Sequence, residues 1–179
     1  MPSWNPETTQ KALRFAAHAH QGVKVPGSDL SYILHPVLVC MEVMAALGSV
    51  PDLDGDLAVQ CALLHDVIED TTFSYQDIAE NFGERVAQGV LALSKDKKLP
   101  DEQQLPDSLK RIRLQPNEIW MVKLADRIVN LSPPPGHWSI EKRIHYREDT
   151  HLIHKALHDA STALGERLLE KIKAYQQYC

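Results

Sequence analysis

Leu57-Ala58-Val59-Gln60-Cys61-Ala62-Leu63-Leu64-His65-Asp66-Val67-Ile68-Glu69-Asp70-Thr71 is the stretch on which the reading of this chain turns. Its apolar residues surround most of a helical circumference instead of marking one stripe, so the pattern predicts a central, buried helix over residues 56–70. That helix ends in His65, Asp66, Glu69, Asp70 and Thr71. Buried carboxylates are unfavourable unless paired or bound to a metal, and the negative end of a helix disfavours them further. A divalent cation resolves the conflict, with His65 and Asp66 offering one imidazole and one carboxylate. Glu69 and Asp70 follow these by four residues each and form an adjacent stripe on the same face, where they can orient a water beside the cation or take its proton. The plainer reading is a solvated helix end, with Glu69, Asp70, Thr71 and Thr72 capping the next segment.

Outward from this stretch nearly every segment has helical spacing. Pro6-Glu7 opens an amphipathic helix in which Ala12, Leu13, Ala16, Ala17 and His20 share a face, and Gly22 closes it. Residues 23–34 contain Pro26-Gly27-Ser28-Asp29 and read as a loop. His35-Pro36 starts a second helix, proline suiting its first turn, and Gly48 ends it. Ser74 with Asp77 resembles a capping box for a short helix stopped at Gly83, and Val86, Val90 and Leu93 mark the helix after it. Residues 95–106 read as a charged loop. Another apolar helix, over 119–131, is cut off by Pro133-Pro134-Pro135-Gly136. Ile153, Ala156, Leu157, Ala160, Leu164, Leu168 and Ile172 place one or two long helices in residues 139–178. No alternating strand pattern is present. The expectation is an all-α helical bundle forming one domain over residues 1–179.

A chain of 179 residues can bury a substantial core, and 44% apolar with 24% charged residues suits a soluble globular protein. A formal net charge of −5 disfavours broad binding to nucleic acid or an anionic membrane. An anionic substrate would therefore need a local basic pocket or a metal. No run approaches the roughly 18 continuous apolar residues of a membrane span, and Met1-Pro2-Ser3-Trp4 has no signal-peptide pattern, so a cytoplasmic location is expected. Cys40 and Cys61 lie in apolar runs and Cys179 is the last residue. Without C-x-x-C spacing, these argue against both a disulfide framework and a thiolate zinc site.

Two further residues carry chemistry for the same cation: His35 at the start of the second helix, and Asp126 in Lys123-Leu124-Ala125-Asp126-Arg127. Asp126 is a carboxylate inside an apolar helix, where aspartate has poor propensity. Two imidazoles, two carboxylates and open positions for water suit Mn²⁺, Fe²⁺ or Zn²⁺ better than Ca²⁺ or a structural zinc. Each has an ordinary alternative, His35 as a helix-entry residue before Pro36 and Asp126 as a surface partner of Lys123 or Arg127. His18 and His20 read as structural or supporting, and His145, His151, His154 and His158 as a solvated helix face. The set as a whole describes a metal-dependent phosphohydrolase.

The ordered motifs H-P at 35–36, H-D-V-I-E-D-T at 65–71, F-G-E-R-V at 82–86, L-S-K at 93–95 and V-K-L-A-D-R-I-V-N-L at 122–131 resemble the hydrolase domain of the RelA/SpoT family, above all its stand-alone small alarmone hydrolases. The resemblance spans about residues 12–146. It implies an HD-superfamily helical fold that uses Mn²⁺ to remove the 3′-pyrophosphate of a guanosine alarmone such as ppGpp, leaving GDP or GTP. It places His35, His65, Asp66 and Asp126 on the metal, Glu69 and Asp70 as the catalytic acidic pair, Asn130 against the nucleoside, and Lys95 and Tyr146 in the substrate pocket. Lys142 and Arg143, beside Trp138, would add positive charge near the phosphates. One departure concerns the family's Arg-Lys pair before Tyr-Ile-x-His-Pro. Here the segment is Lys24-Val25-Pro26, and Ser31 replaces the proline before Tyr32. Lys24, in this substrate-binding position, stacks on a purine less well than a planar guanidinium, which makes an adenosine alarmone such as ppApp a substrate candidate. Competing functions are an HD-fold phosphatase of another nucleotide, for instance at the 2′-phosphate of NADPH, and a non-catalytic alarmone-binding module.

Overall fold

The computed structural model describes residues 4–50 and 52–179, so Met1, Pro2 and Ser3 of the N-terminal reading lie outside the described residues. Its elements are α1 (Pro6–Ala19), α2 (Leu34–Leu47), α3 (Gly55–Leu64), α4 (Val67–Asp70), α5 (Tyr75–Phe82), α6 (Glu84–Leu93), α7 (Asp101–Ile112), α8 (Asn117–Asn130), α9 (Ile140–Leu157) and α10 (Thr162–Tyr175), with short 3₁₀ turns after α9 and α10. Among the described residues there is no strand, only an isolated antiparallel bridge between Lys24 and Ser31. The chain is all-α, as its periodicity predicts, and no described helix is long and apolar enough to cross a membrane.

Helix α3 is the centre. It packs against α1, α2, α6 and α8, and Leu57, Ala58, Val59, Cys61, Ala62, Leu63 and Leu64 are all buried in one continuous apolar cluster that also takes in α8, α9 and α10. Close approach at one point depends on Gly89 of α6, where a Cβ would lie 2.5 Å from Ile119 Cδ1 and 2.9 Å from Cys61 Sγ. Several starts follow from polar caps: Asp54 accepts from the Leu57 amide ahead of α3, Ser74 and Asp77 form the expected capping box, and Ser139 and Ser161 cap α9 and α10. Gly83, at φ +88°, stops α5 as expected.

Two segments differ from the sequence expectation. The helix predicted over 56–70 breaks at His65–Asp66 into α3 and α4. The ring N–H of His65 donates to the Ala62 carbonyl at 2.8 Å, taking the acceptor that an uninterrupted helix would give to the Asp66 amide. Residues 95–106, expected as a loop, contain the first half of α7, which begins at Asp101 and carries Pro106 within it. Proline forfeits one backbone bond there. Burial of Leu105 and Ile112 holds the helix in place, and Arg111 reaches across to the Leu91 and Ser94 carbonyls at 2.6 and 2.7 Å, covering the C-terminal end of α6. The C-terminal stretch resolves into α9 and α10. Helix α10 packs on α8, α9 and α2, and Arg167 grips Glu42 of α2 through two bonds of 2.6 Å.

Candidate active site

Three stretches distant in sequence converge: the start of α2, the α3–α4 break, and the middle of α8. His65 Nε2 lies 3.2 Å from His35 Nε2 and 3.0 Å from Asp66 Oδ2. His35 Nε2 lies 3.5 Å from Asp66 Oδ2 and 3.4 Å from Asp126 Oδ1, and the His65–Asp126 separation is 3.8 Å. Ligand atoms about 2.1 Å from one tetrahedral or octahedral ion would stand about 3.0–3.4 Å apart, so these separations suit a single divalent cation. Because His65 Nδ1 is engaged by the Ala62 carbonyl, Nε2 is the ring nitrogen that would face a metal. Of the four, His35, His65 and Asp126 are buried, with ligand atoms all within 4.8 Å of one another.

The carboxylates are fixed from behind. Tyr32 donates its phenol proton to Asp66 Oδ2 at 2.5 Å, Lys123 donates to Asp126 Oδ2 at 3.0 Å, and Asn130 donates to Asp126 Oδ1 at 2.5 Å. Neither Tyr32 nor Lys123 is singled out by sequence as part of the centre. Lys123 is 7% exposed, so its pairing with Asp126 is a buried feature of the cluster and not the surface ion pair that spacing allows. The loop before α2 aims Tyr32: its amide bonds the Val23 carbonyl at 2.9 Å, the Val25 amide bonds Leu30 at 2.9 Å, and Gly27, at φ +76°, makes the turn between them.

Electrostatics favour a cation here. Burial alone would lower the His65 pKa, but the Asp66 and Asp126 carboxylates outweigh it and push the imidazole up to about 9. Burial likewise opposes ionisation of Asp66, and the facing His65 overcomes it and holds that carboxyl well below the usual range. At Asp126 the same opposition is overcome first by Lys123 and then by the two imidazoles. The site stabilises positive charge, and a divalent ion is a group that its two imidazoles and two carboxylates fit.

A cavity of about 210 Å³ opens over this cluster, with Glu69, Lys95, Asn130 and Tyr146 joining the putting-together of its walls along with Val25 and Pro26. Glu69 Oε2 accepts the Lys95 amide at 2.7 Å. Asp70 is not in the cavity wall; its Oδ1 pairs with Lys97 at 3.1 Å. A neighbouring cleft of about 460 Å³ shares Glu69 and Lys95 and adds Lys97, Lys98 and Arg111. The other basic residues singled out by sequence lie outside both: Lys24 pairs with Asp29 at 2.6 Å, Lys142 sits 4.5 Å from the Trp138 ring, and Arg143 reaches the Tyr178 carbonyl at 3.4 Å. His20 is buried with its ring 4.7 Å from that of Tyr32, and His154 and His158 stack on one another, 5.1 Å apart, and line neither cavity.

Residues 12–160 match the HD domain family. The chain is 28% identical over 163 residues to the guanosine-3′,5′-bis(diphosphate) 3′-pyrophosphohydrolase MESH1 of Danio rerio, with 88% of each chain covered. It is 38% identical over 136 residues to the bifunctional (p)ppGpp synthase/hydrolase SpoT of Escherichia coli K12, which matches 70% of this chain but only 18% of that longer one. In fold it is similar to the solved structure of a metazoan ortholog of SpoT described as hydrolysing ppGpp, with a TM-score of 0.82, 23% identity, and coverage of 96% of this chain and 97% of that one. With a buried cluster of His35, His65 and Asp126 brought together from α2, the α3–α4 break and α8, and a family match over residues 12–160, this chain is a member of the HD domain family.

Proposed function

We propose that this protein is a manganese-dependent alarmone hydrolase that removes the 3′-pyrophosphate of (p)ppGpp or (p)ppApp, releasing pyrophosphate and a nucleoside di- or triphosphate. The observation that carries the reading is the convergence of His35, His65, Asp66 and Asp126 beside Glu69 in a cavity whose wall also holds Lys95, Lys123 and Arg127. The names of its relatives in fish and bacteria support the same reaction class.

His35, His65, Asp66 and Asp126 would hold the divalent ion, which when bound supplies a Lewis acid for phosphoryl oxygens and a more acidic water. The chain's own residues do the rest. Glu69, anchored through one oxygen by the Lys95 amide, presents its carboxylate to the cavity as the group that orients the attacking water and takes its proton. Asp70 assists from the rim, where it holds Lys97. Lys95 attracts the polyphosphate as a point charge. Asn130, already bonded to Asp126, lies where it can meet the sugar, and Tyr146 offers a half-buried aromatic wall. The larger basic cleft alongside provides room for the remainder of the nucleotide.

One observation favours the adenosine form as a substrate alongside the guanosine form. Lys24 is exposed and tied to Asp29, so the loop over the cavity contributes the apolar Val25 and Pro26 instead of a stacking cation. The deciding experiment is incubation with Mn²⁺ and each of ppGpp, ppApp and NADPH, with products resolved by chromatography. Pyrophosphate from the alarmones supports the proposal; orthophosphate from NADPH alone replaces it with a phosphatase, and no turnover of any points to a binding module.

A further inference from the structure

Arg127 follows Asp126 on α8 and lines the same cavity, yet no carboxylate among the described residues is paired with it. It is 5% exposed, and its Nε and Nη1 are buried without a hydrogen-bond partner. Its guanidinium carbon lies 4.3 Å from the centre of the Tyr146 ring, which fixes the plane of the group without satisfying its N–H donors. No carboxylate among the described residues pairs with it: Asp126, its sequence neighbour, is taken by Lys123 and Asn130. A buried guanidinium with no carboxylate beside it, and with two of its three nitrogens lacking an acceptor, is strongly unfavourable, and a role as a prop for Tyr146 would leave that cost unanswered. A phosphoryl group answers it, since its oxygens accept from arginine in charge-assisted bonds.

We infer that Arg127 is a substrate-binding residue whose unpaired N–H groups hold a phosphoryl group in the cavity, with Tyr146 keeping the guanidinium plane in place. Lys95, Lys123 and Arg127 offset Asp66, Glu69 and Asp126 in the cavity wall, so a bound divalent ion leaves the pocket with an excess of positive charge suited to a diphosphate. The inference rests on the alarmone reading only for the identity of the anion: either the diphosphate that leaves or the 5′-diphosphate that stays with the nucleoside would satisfy these donors.

Both are tested by calorimetry at fixed free Mn²⁺, titrating inorganic pyrophosphate in one arm and GDP in the other into wild type, Arg127→Gln and Arg127→Lys. Loss of a charge-assisted bond predicts about ten- to hundredfold weaker binding of at least one anion in Arg127→Gln. Arg127→Lys should be intermediate, and Mn²⁺ affinity should be unchanged in both. Weakening with pyrophosphate assigns Arg127 to the leaving group, and weakening with GDP assigns it to the retained one. Wild-type affinity for both anions, with only a lowered melting temperature, overturns the inference and leaves Arg127 a packing residue. No turnover is needed, so a failure of alarmone hydrolysis leaves the result readable, and a working hydrolase with unaltered anion binding sinks this inference alone. Should the variants not fold, the Arg127 Nε–H resonance of the wild-type, zinc-loaded chain serves instead. It should shift on saturation with pyrophosphate or GDP, and its constancy under both overturns the assignment.

Discussion

Replacing Lys123 with methionine separates the two charges that hold Asp126, and its effect can be worked from the structure. The ammonium lies 3.0 Å from Asp126 Oδ2, with both side chains about nine-tenths buried. Removing one member of a buried ion pair costs about 3–5 kcal/mol, because the other is left uncompensated. The lower end applies here, since His35 and His65 still face Asp126. For a domain of this size about 3 kcal/mol lowers the melting temperature by about 6–12 °C. A divalent ion changes the comparison: at a hundred times its Kd it adds about 2.7 kcal/mol to a chain that binds it, and Lys123→Met, having lost a competing positive charge, should bind it more tightly than wild type and so gain more. Thermal melts in EDTA and in Mn²⁺ measure both quantities. The deficit should be large in EDTA and smaller in Mn²⁺. A deficit that is absent in EDTA, or that Mn²⁺ leaves unchanged or widens, would refute the view that Lys123 and the metal compensate the same buried carboxylate.

Four other substitutions probe the same centre. Asp66→Ala and Asp126→Ala should abolish turnover and weaken Mn²⁺ binding in equilibrium dialysis, and activity surviving in chelator would contradict both. Glu69→Gln should retain the metal while kcat falls by about 10²–10⁴, the range for a lost general base; near-normal turnover would move proton transfer to another group. Tyr32→Phe removes the phenol that positions Asp66, so Mn²⁺ affinity should drop by about 10- to 100-fold, with an unchanged Kd showing the hydrogen bond to be incidental.

Of the candidate ligands that the structure brings together, His65, Asp66 and Asp126 were legible because each stands where its residue type is locally out of place: a His-Asp pair closing a helix apolar on most sides, and an aspartate inside α8. The all-helical architecture was legible for the same local reason, since the 3.6-residue period and caps such as Ser74 with Asp77 act over a few residues. What escaped depends on contacts made across long separations. Tyr32 reaches Asp66 over 34 positions, and Arg111 secures α6 from α7 against the local signal of Pro106. The break at His65 escaped because it turns on a side chain bonding the backbone three residues earlier, which periodicity does not encode. Lys123 illustrates another gap: spacing offered it as a partner for Asp126 but carried no information that the pair would be shielded from water.

Helix α10 begins two residues after the end of the family match, yet it packs on both α2 and α8, the helices that carry the candidate ligands His35 and Asp126, with Arg167 bonded to Glu42 of α2 and with Leu164, Leu168 and Ile172 buried in the core. Trimming the chain at Ala160 for expression would therefore strip an oily seam bare and unclamp two of the walls on which the ligands are mounted. Anyone choosing cloning boundaries from the motif region alone would obtain a fragment prone to aggregate and to be nicked by proteases, so the minimal catalytic piece of this chain should be drawn at least as far as Tyr175.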